Sequence, residues 1–147
     1  MNNVSQKQKK IYFGLDISQK TIEIFALKGE KEASFGKIPN TTKSLNEFFD
    51  KVPAASQTIT VALETGTHSA WISRQLEARG YEVIVAHARD LAFIYKGDKK
   101  SDRIDAEKLA RMARADKKLL HPVKVIDKKR QEDLLAIKAR DLLVKHR

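Results

Sequence analysis

The spacing of apolar residues changes along the chain, from a strand period to a mixture of helix and strand periods. Residues 11–17, IYFGLDI, are a short apolar run with one carboxylate, which is typical of a buried strand. Residues 21–28 alternate, and Gly29-Glu30 then indicates a tight turn into a third strand at 31–38. Three successive strands joined by short turns predict an antiparallel meander.

The rest of the chain alternates between helical and strand patterns. Its helical stretches repeat apolar residues at spacings of three and four, and its strand stretches are short and apolar. We predict helices at 41–52, 68–79, 101–116 and 127–146 and strands at 58–63 and 81–86. Pro122 separates the last helix from the others, because the residue before a proline avoids helical backbone angles.

The resulting order, β-β-β-α-β-α-β-α-α, is that of an α/β, ribonuclease-H-like fold. It predicts a mixed sheet with strand order 3-2-1-4-5, in which strand 2 is antiparallel to the rest and helices flank both faces. We divide the chain into a basic N-terminal tail at 1–10, one α/β domain at 11–122 and a C-terminal extended helix within 123–147.

Length and composition favour one folded domain of this kind. A chain of 147 residues with 41% hydrophobic residues can bury a single core. It contains no cysteine, which excludes disulfides and thiolate metal sites. No apolar run approaches the ~20 residues that span a bilayer, so we expect a cytoplasmic protein without a membrane partner.

The charge of the chain indicates a polyanionic partner. The net charge is +10, and residues 117–147 carry ten Lys or Arg against four Asp or Glu. Residues 1–10 add three lysines, whereas residues 11–116 are close to neutral. A basic chain of this type most often binds nucleic acid, although a solvated surface without a partner can have the same composition.

Four carboxylates stand at positions that suit a common site. Asp16 ends the first strand and Glu64 follows the fourth, and open α/β sheets place their sites at such strand ends. Asp102 and Asp105 are three apart, so both lie on one face of the first turn of the third predicted helix. Each residue also has an ordinary structural interpretation: a turn aspartate, an exposed strand end and a helix-capping pair.

If the four carboxylates meet, their mutual repulsion requires cations. Oxygen ligands suit Mg²⁺ or Mn²⁺, and two such ions can clamp the attacking and leaving oxygens of a phosphodiester. Lys99, Lys100 and Arg103 stand beside the second carboxylate pair, where they can hold a nucleic-acid backbone. This pattern predicts a two-metal site with catalytic carboxylates and adjacent phosphate-binding cations.

Three stretches resemble one protein family. They are FGLDISQKT, ALETGTHSAWISRQLEARGYEVIVAHA and KGDKKSDRIDAEKLARMA, which contain Asp16, Glu64 and the pair Asp102 and Asp105. In them the chain is similar to the N-terminal domain of the DEDD transposases of insertion-sequence family 110 (IS110), which includes the Piv-type DNA invertases. The resemblance implies a RuvC-like fold, a catalytic metal-binding tetrad formed by these four residues, and a role in DNA transposition.

The resemblance does not extend to the C-terminal part of the family's pattern. Family members continue into a transposase domain that carries a serine nucleophile, whereas this chain stops at LLVKHR, within what resembles the first arm of a coiled-coil connector. We therefore expect residues 123–147 to begin that connector and the chain alone to be inactive in complete recombination. The resemblance also implies three partners, namely DNA, a structured guide RNA and a second copy bound through the C-terminal helix.

Three other interpretations fit parts of the sequence. An actin-like or sugar-kinase ATPase would need a glycine-rich phosphate loop after Asp16, and DISQKT contains no glycine. A non-catalytic nucleic-acid-binding module would keep the basic surface and use the acids as caps, so it would lack tight divalent-metal binding. A RuvC-type Holliday-junction resolvase would use the same carboxylates and would cleave branched DNA by itself.

Overall fold

The computed structural model describes residues 9–53, 57–89, 91, 102–124 and 128–145. The strands are β1 (Lys9–Ile17), β2 (Thr21–Lys28), β3 (Lys31–Pro39), β4 (Gln57–Glu64) and β5 (Glu82–Ala86). The helices are α1 (Thr42–Asp50), α2 (Ser69–Glu77), α3 (Asp102–Ala115) and α4 (Lys128–Lys145), with a 3-10 helix at Lys117–Leu120. Each predicted strand and helix is found within two residues of its predicted bounds, whereas the 3-10 helix was not predicted.

The five strands form one mixed sheet in the order β3-β2-β1-β4-β5. β2 is antiparallel to β1 and β3, whereas β1, β4 and β5 run parallel. The predicted strand order and orientation are therefore confirmed, and the arrangement is that of a ribonuclease-H-like fold. Gly29 begins the β2–β3 turn with a φ of 60°, a left-handed conformation that glycine adopts without steric cost.

Helices cover both faces of the sheet. On one face, Phe49 of α1 and Ile72 of α2 join a cluster with Phe13 and Leu15 of β1, and all four side chains are almost completely buried. On the other face, α3 buries its apolar side: Ala106, Leu109, Ala110 and Ala113. Because side chains alternate along a strand, the strands supply apolar residues to both cores, and a slip of one residue would exchange the two faces.

Local signals mark the start of α1 and the end of α2. Thr41 caps α1, because its side chain accepts a hydrogen bond from the backbone N–H of Ser44 at 3.1 Å. After α2 ends at Glu77, Gly80 has a φ of 80° and donates its N–H back to the carbonyl of Glu77 at 2.9 Å. A glycine in the left-handed region is a common way to close a helix.

The chain returns from α3 to the edge of the sheet before α4 begins. Asp116 accepts a hydrogen bond from the N–H of Lys118 at 2.9 Å, which caps the 3-10 helix. Pro122 then forms an isolated antiparallel bridge with Ala86, and the N–H of Val123 donates to the carbonyl of Val85 at 2.9 Å. The segment around Pro122 therefore packs beside β5, and the proline ends the helical region that begins with α3.

α4 differs from the other helices because its described side chains are all exposed. Its leucines are between 41% and 75% exposed: Leu134, Leu135, Leu142 and Leu143. This exposure agrees with the predicted C-terminal extended helix, while its role as a connector stays a prediction. None of the helices within the described ranges has the length and apolar character needed to cross a bilayer.

Candidate functional site

Two of the predicted carboxylates follow neighbouring parallel strands. In the ladder between β1 and β4, Leu15 lies opposite Leu63, and both leucines are fully buried in the core beneath α1 and α2. Asp16 and Glu64 are the next residues of their strands, so their side chains lie on the α3 side of the sheet. Both are half-buried at the carboxyl ends of the strands. The pairing of β1 with β4 therefore brings these two acids together.

A cavity of about 460 Å³ opens where β1 and β4 end. Its walls are formed by the ends of the two strands and the loops that follow them, and they include Asp16, Ser18, Glu64, Thr65 and His68. The polar groups are mainly carboxylate and hydroxyl oxygens, which are the donors that hard divalent cations prefer. The residues of this cavity, which we call the acidic cavity, fit a Mg²⁺ or Mn²⁺ ion by the chemistry of their donors.

Local hydrogen bonds hold both walls of the acidic cavity. In the loop after β1, Ser18 Oγ accepts from the N–H of Thr21 at 3.0 Å, and the carbonyl of Ser18 accepts from Asn40 Nδ2 at 2.8 Å. In the loop after β4, the N–H of Thr65 donates to the carbonyl of Ala86 at 2.9 Å. The loops that flank the two acids are therefore tied to β2, to the segment after β3, and to β5.

Gly14 allows α3 to lie directly on β1. A Cβ added at Gly14 would be 1.8 Å from the carbonyl oxygen of Ala106 and 2.8 Å from the backbone nitrogen of Ala110. Only glycine permits this approach of helix and strand backbones, and the close contact is two residues from Asp16. A glycine inside the apolar run IYFGLDI is the sequence signal for such a contact, and it was not used in the prediction.

α3 runs antiparallel to β1, with its first turn at the acidic cavity end of the sheet. Its residues 106–110 lie over Gly14, and Arg114 in its last turn donates to the carbonyl of Gly29 at 3.0 Å, in the β2–β3 turn. The β2–β3 turn is at the other end of the sheet from the cavity. The first turn, which carries Asp105, therefore extends past Gly14 toward the end of β1.

Arg111 joins the middle of α3 to the edge of the sheet. Its guanidinium donates hydrogen bonds to Glu32 of β3 and, at 2.8 Å, to Glu107 one turn earlier. The hydrogen bond to Glu32, followed by that to Glu107, raises the pKa of Arg111 above its ordinary value. The positive charge of Arg111 is therefore compensated by two carboxylates, and the pair with β3 helps to orient α3.

The predicted site residues within the described ranges lie at one end of the sheet. Asp16 and Glu64 share the acidic cavity, whereas Asp105 is half-buried on the first turn of α3 and is not among the residues that line it. Arg103 is exposed on the same turn. The structure thus brings the first two acids together and directs the helix that carries the third toward them.

The remaining residues of the predicted site are Asp102, Lys99 and Lys100. Asp102 begins α3, but its side chain lies outside the described residues, as do Lys99 and Lys100. Considering the described side chains alone, no three acidic, histidine or cysteine residues are grouped closely enough to hold a metal ion. The convergence of the four carboxylates on metal therefore stays a prediction.

Glu23 is a fifth carboxylate beside the site, and the sequence prediction did not include it. In the ladders of β2, Glu23 lies directly opposite Asp16 on one side and opposite Lys37 on the other. Only 7% of Glu23 is exposed. Cβ atoms of directly opposite residues are about 4.5–5.5 Å apart, so Glu23 adds negative charge next to Asp16. The signal was the alternation in TIEIFALK, which puts Glu23 on the face away from Ile22 and Ile24.

Comparison with known proteins gives one match that spans this site. The family model for DEDD transposases of IS110, described as a transposase model, matches residues 13–147. The matched range includes both acids of the cavity and the whole of α3. A comparison with curated proteins gave no significant match.

Proposed function

The chain belongs to the IS110 family of DEDD transposases, and from this premise we propose that it supplies the metal-binding, phosphodiester-directed domain of a DNA transposase. We propose that Asp16, Glu64, Asp102 and Asp105 hold divalent metal, Mg²⁺ or Mn²⁺, as two ions. When bound, such ions neutralise charge that develops on a phosphodiester and polarise its attacking and leaving oxygens.

One observation carries this proposal. Asp16 and Glu64 are adjacent in space because β1 and β4 are paired in parallel, and both line the acidic cavity. Two carboxylates that share a cavity repel each other, and a third, Glu23, is buried directly opposite Asp16. A cation bound in the acidic cavity would interact favourably with each of these carboxylates.

The chain's own residues would have separate tasks in this reaction. The two strand-end acids are held by a rigid sheet, so they would hold divalent ions in a fixed position. Asp102 and Asp105 would complete the site from the start of α3, which Gly14 permits to lie close to β1. Arg103, together with Lys99 and Lys100, would hold the DNA backbone next to the cleaved bond, because cations at that point compensate the phosphates.

We further propose partners and an assembly for the chain. DNA is the substrate that a transposase role requires, and a structured guide RNA is a second nucleic acid that the basic composition permits. Residues 123–147 would begin a helical connector, and the exposed leucines of α4 would contact a second copy.

The test is divalent-metal binding by single variants. We expect calorimetry to detect Mn²⁺ binding by the unmodified chain and to find it abolished in Asp16→Asn and in Asp102→Asn. The matched control is Asp133→Asn, which removes the same charge from the exposed helix α4. Added Mn²⁺ should also raise the melting temperature of the unmodified chain and of the control, because a ligand that binds only the folded state stabilises it.

The variant Asp102→Asn distinguishes a metal ligand from an ordinary helix cap at this position. Asparagine caps a helix as well as aspartate does, so a purely capping role would leave Asp102→Asn unchanged in every measurement. Mn²⁺ affinity that is equal in the unmodified chain, Asp16→Asn and Asp102→Asn would contradict the proposed tetrad.

A further inference from the structure

A second cavity lies at the opposite end of the sheet from the acidic cavity. Its volume is about 1010 Å³, and its lining contains five cationic side chains and one carboxylate: Lys9, Lys10, Lys28, Lys31, Arg114 and Glu30. Tyr12 and Gly29 complete the wall. We call this cavity the basic groove. The fold creates this concentration of charge, because it brings together residues from β1, β2, β3 and the last turn of α3.

The ladder positions set the spacing of the lysines. Lys28 lies opposite Lys31 across the β2–β3 hairpin and opposite Ile11 on its other side, so Lys28 and Lys31 share the face of Lys9, whereas Lys10 lies on the α3 face with Tyr12. Neighbouring strands are about 4.8 Å apart, so the lysine-bearing strand ends extend across roughly 10 Å. Phosphates of one nucleic-acid strand are spaced about 3.4 Å along the helix axis, so this row can lie beside about three of them.

The cations of the basic groove are available to a ligand. All four lysines are exposed, and within the described ranges none of them forms an ion pair. Arg114 donates to the carbonyl of Gly29, an uncharged partner that holds the guanidinium in place at 3.0 Å. Arg111, one turn earlier on α3, is instead paired with two carboxylates and does not line the groove.

The basic groove is too far from the acidic cavity to serve the same phosphate. Lys9 and Asp16 are seven residues apart in β1, which is roughly 23 Å at about 3.3 Å per residue. The groove is also distinct from Arg103, which lies in the first turn of α3, at the acidic cavity end of the sheet. A ligand of the groove would therefore position a polyanion without taking part in the chemistry at the cavity.

We propose that the basic groove binds the sugar-phosphate backbone of a nucleic acid as an anchoring site separate from the acidic cavity. The ligand chemistry is a row of phosphates, which five cations against one carboxylate complement. Tyr12 packs against the core on the α3 side, so it forms a wall of the groove instead of reading bases. The inference depends on the proposed function only for the class of polymer and not for the metal site.

The test compares two variants that lose the same charge. The groove variant changes Lys9, Lys10, Lys28 and Lys31 to Gln. The control variant changes four exposed basic residues to Gln that lie outside the groove and outside residues 117–147: Lys20, Lys43, Lys51 and Arg89. Binding of a labelled duplex DNA and of a labelled RNA hairpin is measured by fluorescence anisotropy over a range of salt concentrations, with EDTA present. EDTA keeps the result independent of the metal site.

We expect the groove variant to bind about 10- to 100-fold more weakly than the unmodified chain, with the slope of log K against log salt reduced by about 3. The control variant should lose less than about threefold, because its residues do not line the groove. If affinity falls only for the DNA duplex, the ligand is duplex DNA. If affinity falls only for the RNA hairpin, the ligand is RNA. Equal losses in the two variants, or no loss in either arm, would overturn the proposal.

A variant with a single substitution tests whether a folding defect, and not the lost charge, weakens binding. Lys31→Glu changes one exposed residue at the start of β3, and its melting temperature should match that of the unmodified chain. It should still weaken binding and reduce the salt slope, whereas Lys43→Glu should do neither. If Lys31→Glu and Lys43→Glu bind equally well, the basic groove is not the anchoring site. Loss of Mn²⁺ binding in Asp16→Asn tests the proposed function alone, because the groove measurement contains no metal.

Discussion

The two ends of strand β1 carry opposite charge. At its carboxyl end, Asp16 lies beside Glu64 in the acidic cavity and directly opposite the buried Glu23. At its amino end, Lys9 and Lys10 line the basic groove. The acids are half-buried or buried and held by the sheet, whereas the lysines are exposed. One end therefore concentrates charge in a confined space, and the other presents charge on an exposed surface.

Under the two proposals above, one strand would serve two kinds of recognition. A confined cluster of carboxylates favours a small cation, because burial strengthens the interaction with each charge. An exposed row of lysines favours an extended polyanion, because each contact is weak and many contacts add up. α3 joins the two regions, since its first turn lies toward the acidic cavity and Arg114 in its last turn lines the basic groove.

The largest effect should come from the contact that positions α3 between the two ends. In Gly14→Ala the new methyl group would overlap the backbone of Ala106 and Ala110, and no rotamer change can relieve it. We expect a loss of about 3 kcal/mol in the free energy of unfolding, or roughly 6–12 °C in melting temperature, together with weaker Mn²⁺ binding. Thermal denaturation and calorimetry measure both.

The matched control is the same substitution at another glycine. An added Cβ at Gly66 would have no atom within 4 Å, so Gly66→Ala should change the free energy of unfolding by less than about 0.5 kcal/mol. If Gly14→Ala is as stable as Gly66→Ala, then α3 does not rest on β1 as described, and the direction of its first turn toward the cavity loses its support.

The next effect tests whether Glu23 belongs to the acidic end. Glu23→Gln keeps the size of the side chain and removes one buried negative charge opposite Asp16. We expect Mn²⁺ to bind about tenfold more weakly, equivalent to about 1.4 kcal/mol, because the cation loses a nearby opposite charge. Glu47→Gln, on the exposed side of α1, is the control and should bind Mn²⁺ normally. Unchanged affinity in Glu23→Gln would mean that Lys37, on its other side, already compensates it.

A smaller effect concerns stability of the acidic end without metal. Asp16→Asn removes like charge from a crowded site, so in EDTA we expect the free energy of unfolding to rise by about 0.5–1 kcal/mol. The same variant should bind DNA or RNA at the basic groove within about twofold of the unmodified chain, since the two regions are roughly 23 Å apart along β1. Weaker nucleic-acid binding in EDTA would show that the two ends are not independent.

The smallest expected effect comes from Arg111, whose charge is compensated by carboxylates, and it is compared with the effect of a groove lysine. Arg111→Gln removes the same charge as Lys31→Gln, but Arg111 is paired with Glu32 and Glu107. We expect Arg111→Gln to cost about 0.5 kcal/mol in stability, as partly exposed ion pairs do, and to change nucleic-acid affinity by less than about twofold. Lys31→Gln should reduce the salt slope by about 1. Equal effects of the two variants on binding would favour a diffuse charge effect over a defined groove.

Much of the fold was predictable because its signals are local. The strand period of residues 11–38 and the alternation that follows predict the order of elements, and few topologies accommodate that order. The strand-end positions of Asp16 and Glu64 follow from it, because parallel neighbouring strands place their carboxyl ends at one edge. The 3-10 helix at Lys117–Leu120 was not predicted, since four residues are too few to produce a period.

The sequence by itself determined the elements, the sheet order, the family and the excess of positive charge, because each depends on residue types at short or fixed spacings. Only the tertiary structure decided which side chains meet. Glu23 faces Asp16 because β1 and β2 pair in one register, and Arg114 reaches Gly29 across 85 residues of sequence because Gly14 lets α3 lie flat on the sheet. Contacts of this kind depend on the close packing of whole elements, which no short stretch of sequence encodes.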